Sequence, residues 1–592
     1  MKKTLSIIMA LCMVLSVCFF SVSAAEATVG TVAADYKPAE GAIAITDAAG
    51  FAAMAADGNY YLANDITLDA TWNAGAAVSA TYKENSAFTG TLDGNGKTIT
   101  TSAALFANLQ GTVKNLTLTG AIDAATLNCG VVTMWTNGTL TVENVLNKAT
   151  ITNGTTVGGI LGYGATGTIA TFTNCQNDAD LTATSQIGGI AGYIQDDVVN
   201  ITNCVNNGNL TTDNYGAGII GRFGRDKGAL PDSVATITGC VNHGKVVGAK
   251  GQTAGILGYL VGGANIIDCV NNGEIVNATA TAAGILGSSR DPDKKKISGV
   301  LIKDCLNTAP VNGVTYVGGI CGYLGRDANS HDGWNFRIEN SVNSGEITAT
   351  GSGTMYVGGI SAYGWGGSIG SNGLANGFLN CVNSGKVVAN NSGDDTIKVY
   401  IAGIVGYFNT TEYQIENCVN AGEITTNKTT YATLIAWNNR GEGAEGVTAE
   451  LCKNNYSVAS GEIPAFYNGP VSEAVGCAVA TAEQIANGTV AGLINEAAGA
   501  TIYYQAIGTD KAPVLTAAED GSNAIVKNAD GTYGNPVKEP ETTEPAPETT
   551  EPAPETTEPV APPATGDSFV IFAVIAVISV LGVAVIAKRR EN

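Results

Sequence analysis

The sequence predicts an all-β protein, a right-handed parallel β-helix solenoid of about ten coils with small N- and C-terminal caps, a disordered Pro/Thr/Glu linker and a C-terminal transmembrane helix. Three observations carry this. A short segment recurs down the middle of the chain, as in Asn203-Cys204-Val205-Asn206-Asn207-Gly208 and Asn417-Cys418-Val419-Asn420-Ala421-Gly422. A Gly-Ile element follows it by about fifteen residues, as in Gly159-Ile160-Leu161-Gly162-Tyr163 and Gly319-Ile320. No repeat contains the ten or more amphipathic residues that a helical repeat needs, so each reads as one coil of short strands joined by tight turns.

Taken in chain order, residues 1–24 read as a secretory signal peptide: Lys2 and Lys3, an apolar stretch from Leu5 to Phe20, and the small-residue site Val22-Ser23-Ala24. Residues 25–70 form an N-terminal cap, in which Ala42 to Tyr61 places a short helix over the first coil. Residues 71–470 are the β-helix repeats. Residues 471–537 form a C-terminal cap, with a helix from Thr481 to Asn495 and a strand-like segment from Thr501 to Ala506. Residues 538–562 repeat Glu-Thr-Thr-Glu-Pro-Ala-Pro and stay extended, reaching roughly 80 Å at ~3.1 Å per residue. Residues 563–592 close the chain with nineteen uncharged residues from Phe569 to Ala587, long enough for a bilayer core, followed by Lys588, Arg589 and Arg590.

Within the repeats one position is held by Val145, Cys175, Cys204, Cys240, Cys269, Cys305, Ser341, Cys381, Cys418 and Cys452. From Val145 to Cys418 the residue before it is Asn, Asp or Gly, the types that tolerate left-handed backbone. Two residues after it the choice narrows to Asn147, Asn177, Asn206, Asn242, Asn271, Asn307, Asn343, Asn383, Asn420 and Asn454. Glycine would serve there if only the backbone mattered, so an exclusive asparagine predicts amide side chains hydrogen-bonded between stacked coils.

The tail Pro562-Pro563-Ala564-Thr565-Gly566-Asp567 resembles the cell-wall sorting signals of Gram-positive surface proteins, whose motif is LPxTG. Pro563, Thr565 and Gly566 match, Ala564 fills the variable place, and Pro562 stands where the family has Leu. The resemblance implies sortase and peptidoglycan as partners, cleavage between Thr565 and Gly566, and a cell-wall location; before processing, the C-terminal helix holds the chain in the membrane. The repeats, together with Phe88-Thr89-Gly90-Thr91-Leu92-Asp93-Gly94-Asn95-Gly96-Lys97, resemble pectate-lyase-like β-helix proteins and the surface proteins with Gly-Gly-Ile-x-Gly-Tyr (GLUG-like) repeats. That resemblance specifies stacking and leaves the activity open.

Composition narrows the chemistry. With 45% hydrophobic residues a core is available, and a net charge of −22 argues against a nucleic-acid partner. Eleven of the thirteen cysteines follow the signal peptide and most sit at one packing position, so they read as buried free thiols, with no CxxC pair to suggest a metal. His243 and His331 are the only histidines. Asp196-Asp197 and Asp394-Asp395 read as solvated turns, and Asp93-Gly94-Asn95-Gly96 as a turn without a calcium ligand set. No catalytic residue, metal or cofactor is assigned.

Insertions cluster between each Gly-Ile element and the next coil, bringing Trp334, Trp365 and several Arg and Asp onto one edge. Tyr163, Tyr193, Tyr259, Tyr323, Tyr363 and Tyr407 recur three residues after the Ile and form a row, facing a sugar ligand or packing structurally. The expectation is a non-catalytic, surface-anchored adhesin or glycan-binding protein, with a host or environmental glycan or protein as ligand. The alternatives are a polysaccharide lyase or hydrolase on the same fold, and a passive envelope scaffold.

Overall fold

The computed structural model describes residues 28–68, 87–195, 198–226, 233–290, 299–325, 336–365, 376–408, 413–429, 431–438, 452–464, 466–467 and 477–536. The signal peptide, the sorting motif Pro563–Gly566, the expected span 569–587, Trp334 and His331 lie outside these residues. Among the described residues no helix is long and apolar enough to cross a membrane. The segment Thr28–Lys538 forms one compact unit.

One coil shows how the sequence winds. Gly263–Ile267 is a strand of the first sheet, and Asp268, at φ 53°, turns the chain sharply. Val270–Asn271 follows, then Ile275–Asn277 and Thr281–Ala283 of the second sheet, and after the Gly284-Ile285 corner Leu286–Arg290 of the third. Every segment pairs in parallel with its counterparts one coil above and one below; Val270, for example, lies between Val241 and Leu306. The left-handed corner falls at Asn174, Asn203, Gly239, Asp268, Asp304, Asn340, Asn380 and Asn417, whose short polar or absent side chains tolerate positive φ.

Strand alternation sets the interior. Val142, Phe172, Ile201, Ile237, Ile266, Ile302, Ile338, Phe378 and Ile415 are in register and fully buried, stacked like for like along the axis. A slip of one residue in any coil would turn such a column to solvent, which fixes the register.

Parallel stacking begins with Ile43–Ile45 against Tyr60–Leu62, inside the segment expected to be only a cap. The helix there is short, Ala48–Ala52, with Asp47 Oδ1 accepting from Gly50 N at 2.8 Å and Phe51 closing the core end. At the other end Cys477–Ala480 pairs with Asn455–Val458. The expected single helix is two, Ala482–Ala486 and Thr489–Ala498, broken where Gly488 adopts φ 80°. Thr501 to Ala506 makes an isolated bridge, Tyr504 to Val514, not a strand. This cap packs Ile485, Val490, Ile494 and Tyr503 onto Val382 and Val419, which point outward from the rod.

Candidate functional site

Asn147 Nδ2 donates to Asn177 Oδ1 at 2.7 Å, and the same bond repeats through Asn206, Asn242, Asn271, Asn307, Asn343, Asn383 and Asn420 at 2.7–2.8 Å. Each amide gives its second N–H to a carbonyl two residues on, such as Asn271 to Gly273 O at 2.9 Å. All nine are fully buried, so both donors and an acceptor of each are used inside the rod.

The last step departs from the sequence reading. Asn420 donates to Ser457 Oγ at 2.9 Å, and Asn454 is not in this row. Cys452 pairs with Ile415, not with Cys418, so the final coil enters the stack three residues later than its Cys suggests. Asn454 sits at the corner with φ 56°, in the place of Asn417, because that turn requires a residue tolerant of left-handed backbone. Its amide donates to Asn417 Oδ1 at 3.1 Å, part of a second, outer row with Asn380 and Asn340.

The two repeat elements meet in space. A Cβ on Gly319 would lie 2.0 Å from Gly359 O and 2.4 Å from Asn343 Cγ, and Gly255, Gly284 and Gly359 are hemmed in the same way. The glycine is there because backbone and amide row approach this closely, not because of a positive φ.

The ten cysteines from Cys129 to Cys452 are free and buried. Cys175 N donates to Cys204 Sγ at 3.4 Å, and Ser341 Oγ replaces a sulfur in the same column, accepting from Cys305 N at 3.3 Å. Burial pushes the Cys129 thiol up to about 12 and holds Cys204 and Cys269 well above the usual thiol range.

Tyr163 is in register with Tyr193, and Tyr323 with Tyr363 and Tyr407; Arg222 interrupts the row between Tyr193 and Tyr259, and Ser288 between Tyr259 and Tyr323. A second row, Tyr316, Tyr356, Tyr400 and Tyr431, runs beside it on the second sheet. Tyr323, Tyr363 and Tyr407 stack within the first row and Tyr316, Tyr356 and Tyr400 within the second, with Tyr323–Tyr363 at 4.8 Å and Tyr316–Tyr356 at 4.9 Å, and the rows meet edge to face, Tyr400–Tyr407 at 4.9 Å; Tyr163 and Tyr193 meet edge to face within their row at 5.1 Å. Neighbouring rings thus occupy the faces on which a sugar would stack. Trp365 packs against the same cluster. Arg222 fills its place with a guanidinium 4.7 Å from the Tyr193 ring and 2.8 Å from Asp226 Oδ2.

The Asp93 turn anchors the N-terminal arm. The buried Asp93 carboxylate accepts from the Tyr36 hydroxyl, from Asn95 N at 2.9 Å and from Asn115 Nδ2 at 3.0 Å, with Lys114 Nζ at 3.6 Å. Asp394 caps its own turn, accepting from Thr396 N at 2.9 Å. Exposed His243 lies 3.4 Å from Asn272 Nδ2.

The strands that precede 227–232, 291–298, 326–335 and 366–375 all belong to the third sheet and those that follow to the first, so the four intervals fall at the same place in the repeat. A groove of about 460 Å³ between Ile424–Thr426 and Ser460–Pro464 was not foreseen. Its sequence signal is Gly461-Glu462-Ile463, which repeats Gly422-Glu423-Ile424 but is followed by proline.

No protein-family model matches the chain. Halomucin of Haloquadratum walsbyi is 32% identical over 126 residues, a match covering 18% of this chain and about 1% of the length of halomucin. A solved structure from Bacteroides ovatus, provisionally described as an immunoglobulin A1 protease, aligns with a TM-score of 0.30 and 15% identity over 58% of this chain and 85% of its own.

Proposed function

We propose that the chain is a non-catalytic β-helix rod attached to the surface of a Gram-positive cell, where it acts as an adhesin or glycan-binding protein. Its export signal and sorting motif direct it to the wall, and sortase joins Thr565 to peptidoglycan. The observation that supports a binding role is the common place of four intervals in the repeat: one contains Trp334, another begins after Trp365, and each falls between a third-sheet strand and the next first-sheet strand of a rigid scaffold. The repeat's own amides, glycines and tyrosine faces are spent on stacking, which leaves these insertions as the place where ligand contacts belong.

A glycan and mucin array probed with the secreted chain, with reducing-end release from the same polysaccharides assayed in parallel, tests the reading. Binding without release is expected; release would replace it with a glycan-cleaving enzyme. Attachment is tested separately by digesting the wall of an expressing cell and looking for a peptide ending at Thr565 linked to peptidoglycan.

A further inference from the structure

The strand Ile424–Thr426 pairs on one side, with Val387–Ala389, and among the described residues no strand pairs on the other. In the coils beneath, the same position finds a backbone acceptor above it: Ile347 N donates to Lys386 O at 2.8 Å and Val387 N to Glu423 O at 2.9 Å. Ile424 N instead donates to a side chain, Ser460 Oγ, at 3.1 Å. The cause is in the sequence. Gly422 comes two residues after Asn420, whereas Gly461 comes four after Ser457, and Pro464 has no N–H to place in a ladder. The chain therefore bows away and rejoins the stack where Leu434 N donates to Pro464 O at 2.9 Å.

The space left behind is the groove of about 460 Å³. Alternate residues of a parallel strand direct their N–H and C=O to opposite sides, so Ile424 O and Thr426 N face it. Glu423 and Glu462 line its rim, with Lys386 Nζ 3.4 Å from Glu423 Oε2.

We propose that this groove is a strand-addition site that takes an extended peptide of about three residues, with cationic side chains beside Glu423 and Glu462. The inference is independent of surface attachment and of any glycan bound elsewhere on the rod.

The test titrates the peptide fluorescein-Gly-Lys-Val-Thr-Val-Lys-amide with the full chain by fluorescence anisotropy and follows backbone exchange by mass spectrometry. The expected result is binding below ~1 mM, slower exchange in peptides containing Ile424–Thr426, at least tenfold weaker binding of the same peptide N-methylated along its backbone, and about three- to tenfold weaker binding to E462Q. Absence of binding at that concentration, equal binding of the N-methylated peptide, or exchange protection confined to another region overturns the proposal. Displacement of the peptide by cellotetraose or maltotetraose also overturns it, making the groove a sugar subsite.

Discussion

Asn271 accepts a hydrogen bond from Asn242 and gives two, to Asn307 and to Gly273 O, with no exposed surface of its own. Cys129 is buried for a simpler reason: a thiol packs as a small apolar group. Its pKa in the folded chain, near 12, exceeds the ~8.5 of a free thiol, so the stabilisation it brings is complete below pH ~8.5 and is lost as pH rises towards 12. The unfolded chain releases this proton first, and stability falls by about 1.4 kcal/mol per pH unit for that thiol. Urea titrations between pH 8 and 11 are expected to show C129S losing stability less steeply than the parent by one proton; parallel curves would contradict this. The inner asparagine row was legible in the sequence because nine successive coils, from Asn147 to Asn420, place the same residue there. Its last member was not, since Asn454 and Ser457 both suit a coil turn and only the strand register decides which one enters the row.

At the scale of the element, the Asn and Gly-Ile segments are two walls of one contact, with glycine backbone lying against the amide row. Their separation of about fifteen residues showed a coil but not that its two corners touch. G319A would drive a methyl into Gly359 O and the Asn343 amide and is expected to cost more than ~3 kcal/mol or to prevent soluble folding. G353A, where a Cβ meets nothing within 4 Å, should stay within ~0.5 kcal/mol. Equal unfolding midpoints for the two would refute the close-approach account. The tyrosine row was legible in the same partial way. The residues three after the Ile were found, but their neighbours Tyr316, Tyr356 and Tyr400, which show that the ring faces are occupied, lie on a different strand and were missed.

At the scale of the molecule, both terminal segments of the solenoid dock on the same outer corner. The N-terminal arm places Gly30 N on Asn144 Oδ1 at 2.9 Å, and the C-terminal cap places the Tyr503 hydroxyl on Asn417 O at 2.6 Å, fully buried. The ten positions of the inner row, nine steps of ~4.8 Å, span about 43 Å of the rod, and its bonds run unbroken from Asn147 to Ser457. Y503F leaves that carbonyl without its partner and is expected to cost about 1–3 kcal/mol. Because each coil touches mainly its neighbours, the loss should appear as faster hydrogen exchange in the coils from Asn383 onward while the N-terminal coils stay protected; acceleration along the whole rod would contradict a locally seated cap.

The claim beneath all of this is that the repeat's strictest residues hold coils together and do not meet ligand. The measurement that tests it most directly is the urea stability of N271A alongside its binding on the glycan array. Removing one amide strands the Asn242 donor and the Asn307 acceptor, so a loss of about 2–5 kcal/mol is expected, with affinity unchanged under conditions where the variant is folded. Unchanged stability together with lost binding would show that the asparagine row belongs to a ligand site.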